Sequence, residues 1–203
     1  MILEENSAED ISSLTYTIQN IVVKSSLKSS SNLNLELNLK KLSEKIDNVE
    51  YNPNRFPGLF LRLSYPKCVI IIFSNGKLIL TGLKSFDYID LVIVKIISEL
   101  KNAIQIHIEK ELVKKIIVNI VITANFFKQI NLDLAAIRLE NSIYEPEVFP
   151  GLIYNCSNPV KSVFLIFSTG KIVFTGIREK NLIEPALIYL GRILKKEDLF
   201  LQK

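Results

Sequence analysis

Apolar and polar positions along the chain fall into two rhythms that come in a fixed order. Tyr16–Lys24 alternates and is β-branched, which predicts a strand. Leu35, Leu39, Leu42 and Ile46 recur at the spacing of one helix face, which predicts a helix over Leu35–Asn48. Strands follow at Leu59–Ser64 and Val69–Ser74, separated by Tyr65-Pro66. Lys77–Leu83 returns after Asn75-Gly76, a dipeptide suited to a two-residue type I′ turn. Ser85 is placed to cap a long helix through Lys101, with Ile89, Val92, Ile93, Ile96, Ile97 and Leu100 on one side. The order then starts again, with a strand at Lys115–Thr123 and a helix around Leu132–Ser142. Strands at Leu152–Asn155, Ser162–Phe167 and Lys171–Ile177 lead to a last helix from about Leu182 to Lys196. Sequential hairpins with few crossovers make this an α+β chain with an antiparallel sheet.

The recurrence extends to the letters. YNPNRFPGL at 51–59 returns as YEPEVFPGL at 144–152, and IIIFSNGKLILTG at 70–82 returns as FLIFSTGKIVFTG at 164–176. A third pair opens each half, IQNIV at 18–22 and IVNIV at 117–121. The offsets are 93, 94 and 99 residues, so the order is kept and loop lengths differ. The expected organisation is a short acidic tail over 1–15, one repeat over 16–109 and a second over 110–203. A surface written twice suits a target that is itself roughly twofold. The return strands, 77–81 and 171–175, are apolar on both faces, as are 70–73 and 164–167. Helices can cover only one face of an antiparallel sheet, so the other face needs a partner or a further layer. A sandwich or a homodimer through the sheet would serve that need as well as a ligand.

Composition narrows the classes. With 48% hydrophobic residues the chain has enough apolar material for a core. Its longest apolar runs are too short to span a membrane, and its acidic start is unlike a secretion signal. The two cysteines, Cys68 and Cys156, do not match between repeats and read as buried free thiols. His107, the one histidine, has no ligand-spaced neighbour and reads as a linker residue; no metal or cofactor is expected. No nucleophile–base pair or phosphate loop is visible, which argues against an enzyme. Residues 1–16 hold four acids and no base, leaving 25 basic against 17 acidic residues beyond them, a balance of +8 that suits a polyanion.

The doubled motifs Tyr-x-Pro-x-x-Phe-Pro-Gly-Leu and Ile-Phe-Ser-x-Gly-Lys-(x)3-Thr-Gly closely resemble the TATA-box-binding protein family, over almost the whole chain from Tyr16 onward. The resemblance implies two pseudo-symmetric repeats forming a saddle, a ten-stranded curved antiparallel sheet with four helices on its convex face. It implies a general transcription initiation factor that binds and bends A·T-rich promoter DNA through the minor groove and nucleates preinitiation complex assembly. This family is itself a standing example of wedge-driven bending. The family's wedge phenylalanines fall on Phe56, Phe73, Phe149 and Phe167, and its central asparagines on Asn20 and Asn119. Apolar groove contacts fall on Val22, Ile71, Ile79, Val121, Leu165 and Val173, and groove threonines on Thr81 and Thr175. Phosphate contacts fall on Arg55, Arg62, Lys77, Lys84, Lys171 and Arg178. Glu145 and Glu147 fall where the family docks transcription factor IIB.

The sequence also departs from that pattern. The helix from Ser85 keeps essentially Lys95 and Lys101, with Asp90, Val92 and Val94 where bases are usual. This puts contacts with transcription factor IIA and other regulators in doubt. Val118 replaces a usual Gln, Asn155 a usual phosphate-contacting Arg, and one extra residue before Phe167 suggests a bulge at Lys161-Ser162. The resemblance is taken as one to a divergent eukaryotic member, which implies a nuclear location, and the basic balance speaks against the more acidic archaeal members. Self-association through the bare apolar sheet is expected without DNA. The alternative is the same fold used as a protein-interaction module without TATA specificity.

Overall fold

The computed structural model describes residues 15–27, 35–106, 108 and 110–201. The expected acidic tail up to residue 14, most of the Ser-rich loop and His107 lie outside the described residues. The fold is α+β, a ten-stranded antiparallel sheet with four helices. The chain divides into two compact units, Gln19–Asn119, and Met1–Ile18 with Ile120–Lys203.

In the first unit, β1 (Thr15–Ser26) leads to α1 (Leu39–Lys45) and the short β2 (Val49–Glu50). Next come β3 (Leu59–Leu63), β4 (Cys68–Ile72), β5 (Lys77–Leu83) and α2 (Tyr88–Ile104). The strand order is β2-β3-β4-β5-β1. The second half repeats it with β6 (Lys114–Asn125), α3 (Leu132–Arg138), β7 (Ser142–Ile143), β8 (Leu152–Cys156), β9 (Ser162–Ile166), β10 (Lys171–Ile177) and α4 (Ile183–Lys196), in the order β6-β10-β9-β8-β7.

Period-two alternation sorts the strand residues into two layers. Leu61, Ile70 and Leu80 share one rung and are buried, as are Phe164 and Phe174 in the second unit. Ile89, Val92, Ile93, Ile96 and Leu100 of α2 are buried too, and supply the apolar stripe that covers such a face. Phe164 and Phe174 stack nearly parallel, with ring centroids 4.4 Å apart. Val69, Ile71, Ile79 and Thr81, and Val163, Leu165, Val173 and Thr175 in the second unit, alternate with these and stay half-exposed on the other face.

Several local expectations change. The helix expected over Leu35–Asn48 is only α1, because Leu35 and Leu37 are buried in extended chain, with the Leu37 N–H donating to Ser74 O. Asn38 then caps the helix, its side chain accepting from the Lys41 N–H, and Asn131 does the same for α3. Ser85 does not cap α2. It donates to Asp87, accepts from the Asp87 N–H, and so shapes the turn before the helix.

The Asn75-Gly76 hairpin is not a type I′ turn. Only Gly76 has positive φ, at +73°, and its N–H donates to Phe73 O. This is a three-residue loop with glycine in the left-handed position, repeated at Gly170. No bulge forms at Lys161-Ser162, because β8 and β9 pair without a register shift from Leu152↔Ile166 to Cys156↔Ser162. The extra residue is absorbed in the connecting turn. The bulges lie instead at Thr81-Gly82 and Thr175-Gly176, where two residues face a single partner position.

Candidate nucleic-acid interface

The open face of each unit is built of rungs. In the first unit Phe60, Ile71, Ile79 and Lys24 lie across β3, β4, β5 and β1 in register, and Arg62, Val69 and Thr81 form the next rung. In the second unit the matching rungs are Ile153, Leu165, Val173 and Thr123, and then Asn155, Val163 and Thr175. All fourteen residues expected to meet bases are half-buried: Asn20, Val22, Phe56, Ile71, Phe73, Ile79 and Thr81, then Asn119, Val121, Phe149, Leu165, Phe167, Val173 and Thr175. They are neither core nor loosely solvated. The six expected phosphate contacts, Arg55, Arg62, Lys77, Lys84, Lys171 and Arg178, are all exposed, as are Glu145 and Glu147.

At one end of each open face an aromatic pair stands over a glycine. Phe56 and Phe73 have centroids 6.0 Å apart and are inclined by 58°; Phe149 and Phe167 are 5.8 Å apart and inclined by 66°. A Cβ at Gly58 would sit 2.7 Å from the Phe56 ring, and one at Gly151 2.8 Å from that of Phe149. The Phe-Pro-Gly motif is therefore a packing requirement, since only glycine lets the ring settle against the strand. Phe60 extends the first aromatic group, with its centroid 5.2 Å from that of Phe56.

At the bulge, Asn20 Oδ1 accepts from the Gly82 N–H at 2.7 Å, and Nδ2 donates to Thr81 Oγ1 at 3.2 Å. A cleft of about 580 Å³ opens beside these groups, lined by Arg62, Lys67, Val69, Thr81 and Lys84 among others. A second of similar volume, lined by Thr123, Asn125, Phe167, Lys171 and Val173, lies on the second unit. Arg62 is 3.5 Å from Glu50 across an exposed ion pair, a contact that solvent keeps weak.

Sequence reading missed Val69, Val163, Phe60, Ile153, Lys24 and Thr123 on these rungs. The signal was available, because each lies two residues, or a cross-strand step, from a residue already chosen. The cysteines lie on the corresponding rung of each unit but on different strands, Cys68 of β4 opposite Leu63 and Cys156 of β8 opposite Ser162. Both are buried free thiols, and burial pushes the Cys68 thiol up to about 11 despite the opposing pull of Lys95. It stays protonated and inert near neutral pH. Among the described residues no cluster of His, Cys, Asp and Glu could hold a metal ion, and no helix is long and apolar enough to cross a membrane.

The outer side of α2 is not basic. Asp90 pairs with Lys115, whose hydrogen bond holds the carboxyl below its ordinary range. Lys95 donates to Tyr65 O and lies over the Tyr65 ring, while Leu91 and Val94 are exposed. Val92, named above among the positions where bases are usual, is instead fully buried, because it falls on the helix's apolar stripe.

A doubled antiparallel sheet with one face apolar, half-exposed and rimmed by cations defines a DNA-binding class that reads a duplex with a β-surface. The sequence profile of the family described as "Transcription factor TFIID (or TATA-binding protein, TBP)" matches residues 15–103 and 114–197. The chain belongs to the TATA-box-binding protein family, and so to the general transcription initiation factors that bind TATA DNA without enzymatic activity. It is 40% identical over 182 residues to the TATA-box-binding protein of Pyrobaculum neutrophilum, covering 89% of this chain and 87% of the relative. It is 41% identical over 192 residues to that of Pyrodictium occultum, covering 94% and 92%. The solved Methanococcus jannaschii TBP superposes with a TM-score of 0.79 at 38% identity, over 89% of this chain and 98% of that one. These relatives are archaeal, so the eukaryotic assignment and the nuclear location drawn from it are not supported. The basic balance set against archaeal members reflects composition, which carries no lineage.

Proposed function

We propose that this chain recognises an A·T-rich promoter element by laying both open faces in the minor groove and wedging Phe56 with Phe73, and Phe149 with Phe167, against base steps. The observation that carries this reading is the matched aromatic pair over glycine at one end of an apolar rung in each repeat. Apolar rungs tolerate the smooth floor of A·T pairs, and the guanine amino group would meet them without a hydrogen-bond acceptor. Wedges unstack flexible steps at least cost. The exposed bases Arg55, Arg62, Lys77, Lys84, Lys171 and Arg178 hold the phosphates on either side.

Glu145 and Glu147 are exposed beside Val148, which is 80% exposed, a combination that suits docking of transcription factor IIB. Contacts with transcription factor IIA through α2 are weakened by Asp90, Leu91 and Val94 on its outer side.

Affinity measured on a TATA duplex and on a G·C-substituted one, across a salt series, tests the reading. Tight binding to the first alone supports it, and equal binding to both contradicts it. Lys24 sharpens the test, because its rung partner in the second repeat is the neutral Thr123. Lys24→Thr is expected to make the plot of log affinity against log salt shallower by about 0.9, the loss of one phosphate contact. An unchanged slope would remove Lys24 from the interface.

A further inference from the structure

We propose that Gly82 is a positioning residue for base-pair selection: its amide fixes the carboxamide of Asn20 so that an N–H donor, and not the carbonyl oxygen, faces the DNA. The inference rests on the minor-groove reading above. At the β5 bulge, Thr81 and Gly82 together face the single position Val22. Gly82 has φ +90°, a conformation that side-chain-bearing residues rarely adopt. The bulge turns its N–H toward the open face, where it donates to Asn20 Oδ1 at 2.7 Å. A backbone N–H can only donate, so the oxygen end of the carboxamide is identified without ambiguity. Nδ2 then points diagonally across to the neighbouring strand, toward Thr81 Oγ1 at 3.2 Å, which takes one of its two hydrogens. The other is left for an acceptor on the ligand.

This lock decides which base pair fits. A·T and T·A pairs show only acceptors in the minor groove, whereas G·C adds the guanine amino donor. A free asparagine could turn over and satisfy either. With its oxygen held by Gly82, Asn20 presents a donor, which A·T accepts and the guanine amino group opposes. The second repeat has the same backbone device, with Gly176 at φ +96° and a register shift between Phe174 and Ile177.

The test uses the full chain with Asn20→Asp and Gly82→Ala. Affinities are measured by fluorescence anisotropy on a TATA duplex and on duplexes carrying one G·C substitution at a time. Aspartate keeps an acceptor for the Gly82 N–H and the Thr81 hydroxyl but removes the donor. Its added negative charge weakens all duplexes alike and cancels in the ratio. The preference for A·T over G·C at the position under Asn20 is expected to fall about tenfold or more in Asn20→Asp, with the melting temperature nearly unchanged. Gly82→Ala is expected to lose a smaller part of the same ratio. A wild-type ratio in Asn20→Asp at every position would overturn the proposal and leave Asn20 as a strut for the bulge. A lost ratio in Asn20→Asp with a full one in Gly82→Ala would overturn the part assigned to Gly82. Should Gly82→Ala fail to fold, hydrogen exchange at the Gly82 amide decides its part: protection in the unaltered chain that is lost in Asn20→Leu is expected, and equal exchange in both would overturn the part assigned to Gly82. If the unaltered chain shows no A·T preference, the minor-groove reading itself has failed, an outcome distinct from the others.

Discussion

Alanine at both Phe149 and Phe167 lowers affinity for a TATA duplex by about a hundredfold or more and leaves the protein folded. Each ring is half-exposed, and the two meet edge to face rather than inside the core. Removing them forfeits their mutual contact, worth about 0.5–1.5 kcal/mol, and little buried area. Stacking of a base on an aromatic side chain is worth about 1–3 kcal/mol, so two wedges account for about 2–6 kcal/mol of binding. A hundredfold loss corresponds to about 2.7 kcal/mol, near the lower end of that range. Anisotropy titration of the double variant, with a thermal melt beside it, checks both halves. Unchanged affinity would show that the second repeat holds DNA without wedges.

Phe174→Ala gives the opposite pattern. Phe174 is fully buried and stacked on Phe164, on the other face of the strand that carries Val173 and Thr175. Truncating a buried phenylalanine costs about 3–5 kcal/mol, because the cavity collapses only in part. For a chain of this size that lowers the melting temperature by about 6–20 °C. DNA contacts by the folded fraction should persist, since no open-face residue is removed. The measurement is calorimetric unfolding, followed by binding below the new transition. A shift of only a degree or two would mean that the face assignment of β10 is wrong. One residue type thus yields loss of binding on one face and loss of stability on the other.

Much of this was legible in the sequence because a strand's period is two. Once Phe73 and Ile79 were assigned to the open face, their alternates Ile72 and Leu78 had to be buried, and both are. The repeat doubled the reading, since Ile71 with Leu165 and Ile79 with Val173 occupy the same rungs in both units. What escaped depended on pairing across strands. Lys24 reads as an ordinary surface lysine until its register with Ile79 is known. The role of Gly82 was hidden for a related reason, as a bulge arises from two strands and not from either alone. Helix ends were misread where capping and extended packing competed with periodicity: Leu35 keeps helical spacing with Leu39 but belongs to extended chain held by Ser74. The lineage was not legible, because net charge, set against the archaeal members, follows composition more closely than descent.

The central claim is that paired wedges on an apolar, A·T-selective surface deform the duplex they bind. The most direct test is the end-to-end distance of a doubly labelled duplex, by fluorescence energy transfer, on saturation with the unaltered protein. A marked shortening on the TATA duplex, absent on its G·C-substituted counterpart and from the Phe149→Ala, Phe167→Ala variant, is the predicted result. Saturable binding to the TATA duplex with no shortening would contradict the claim and make the sheet a docking surface for something other than bent DNA.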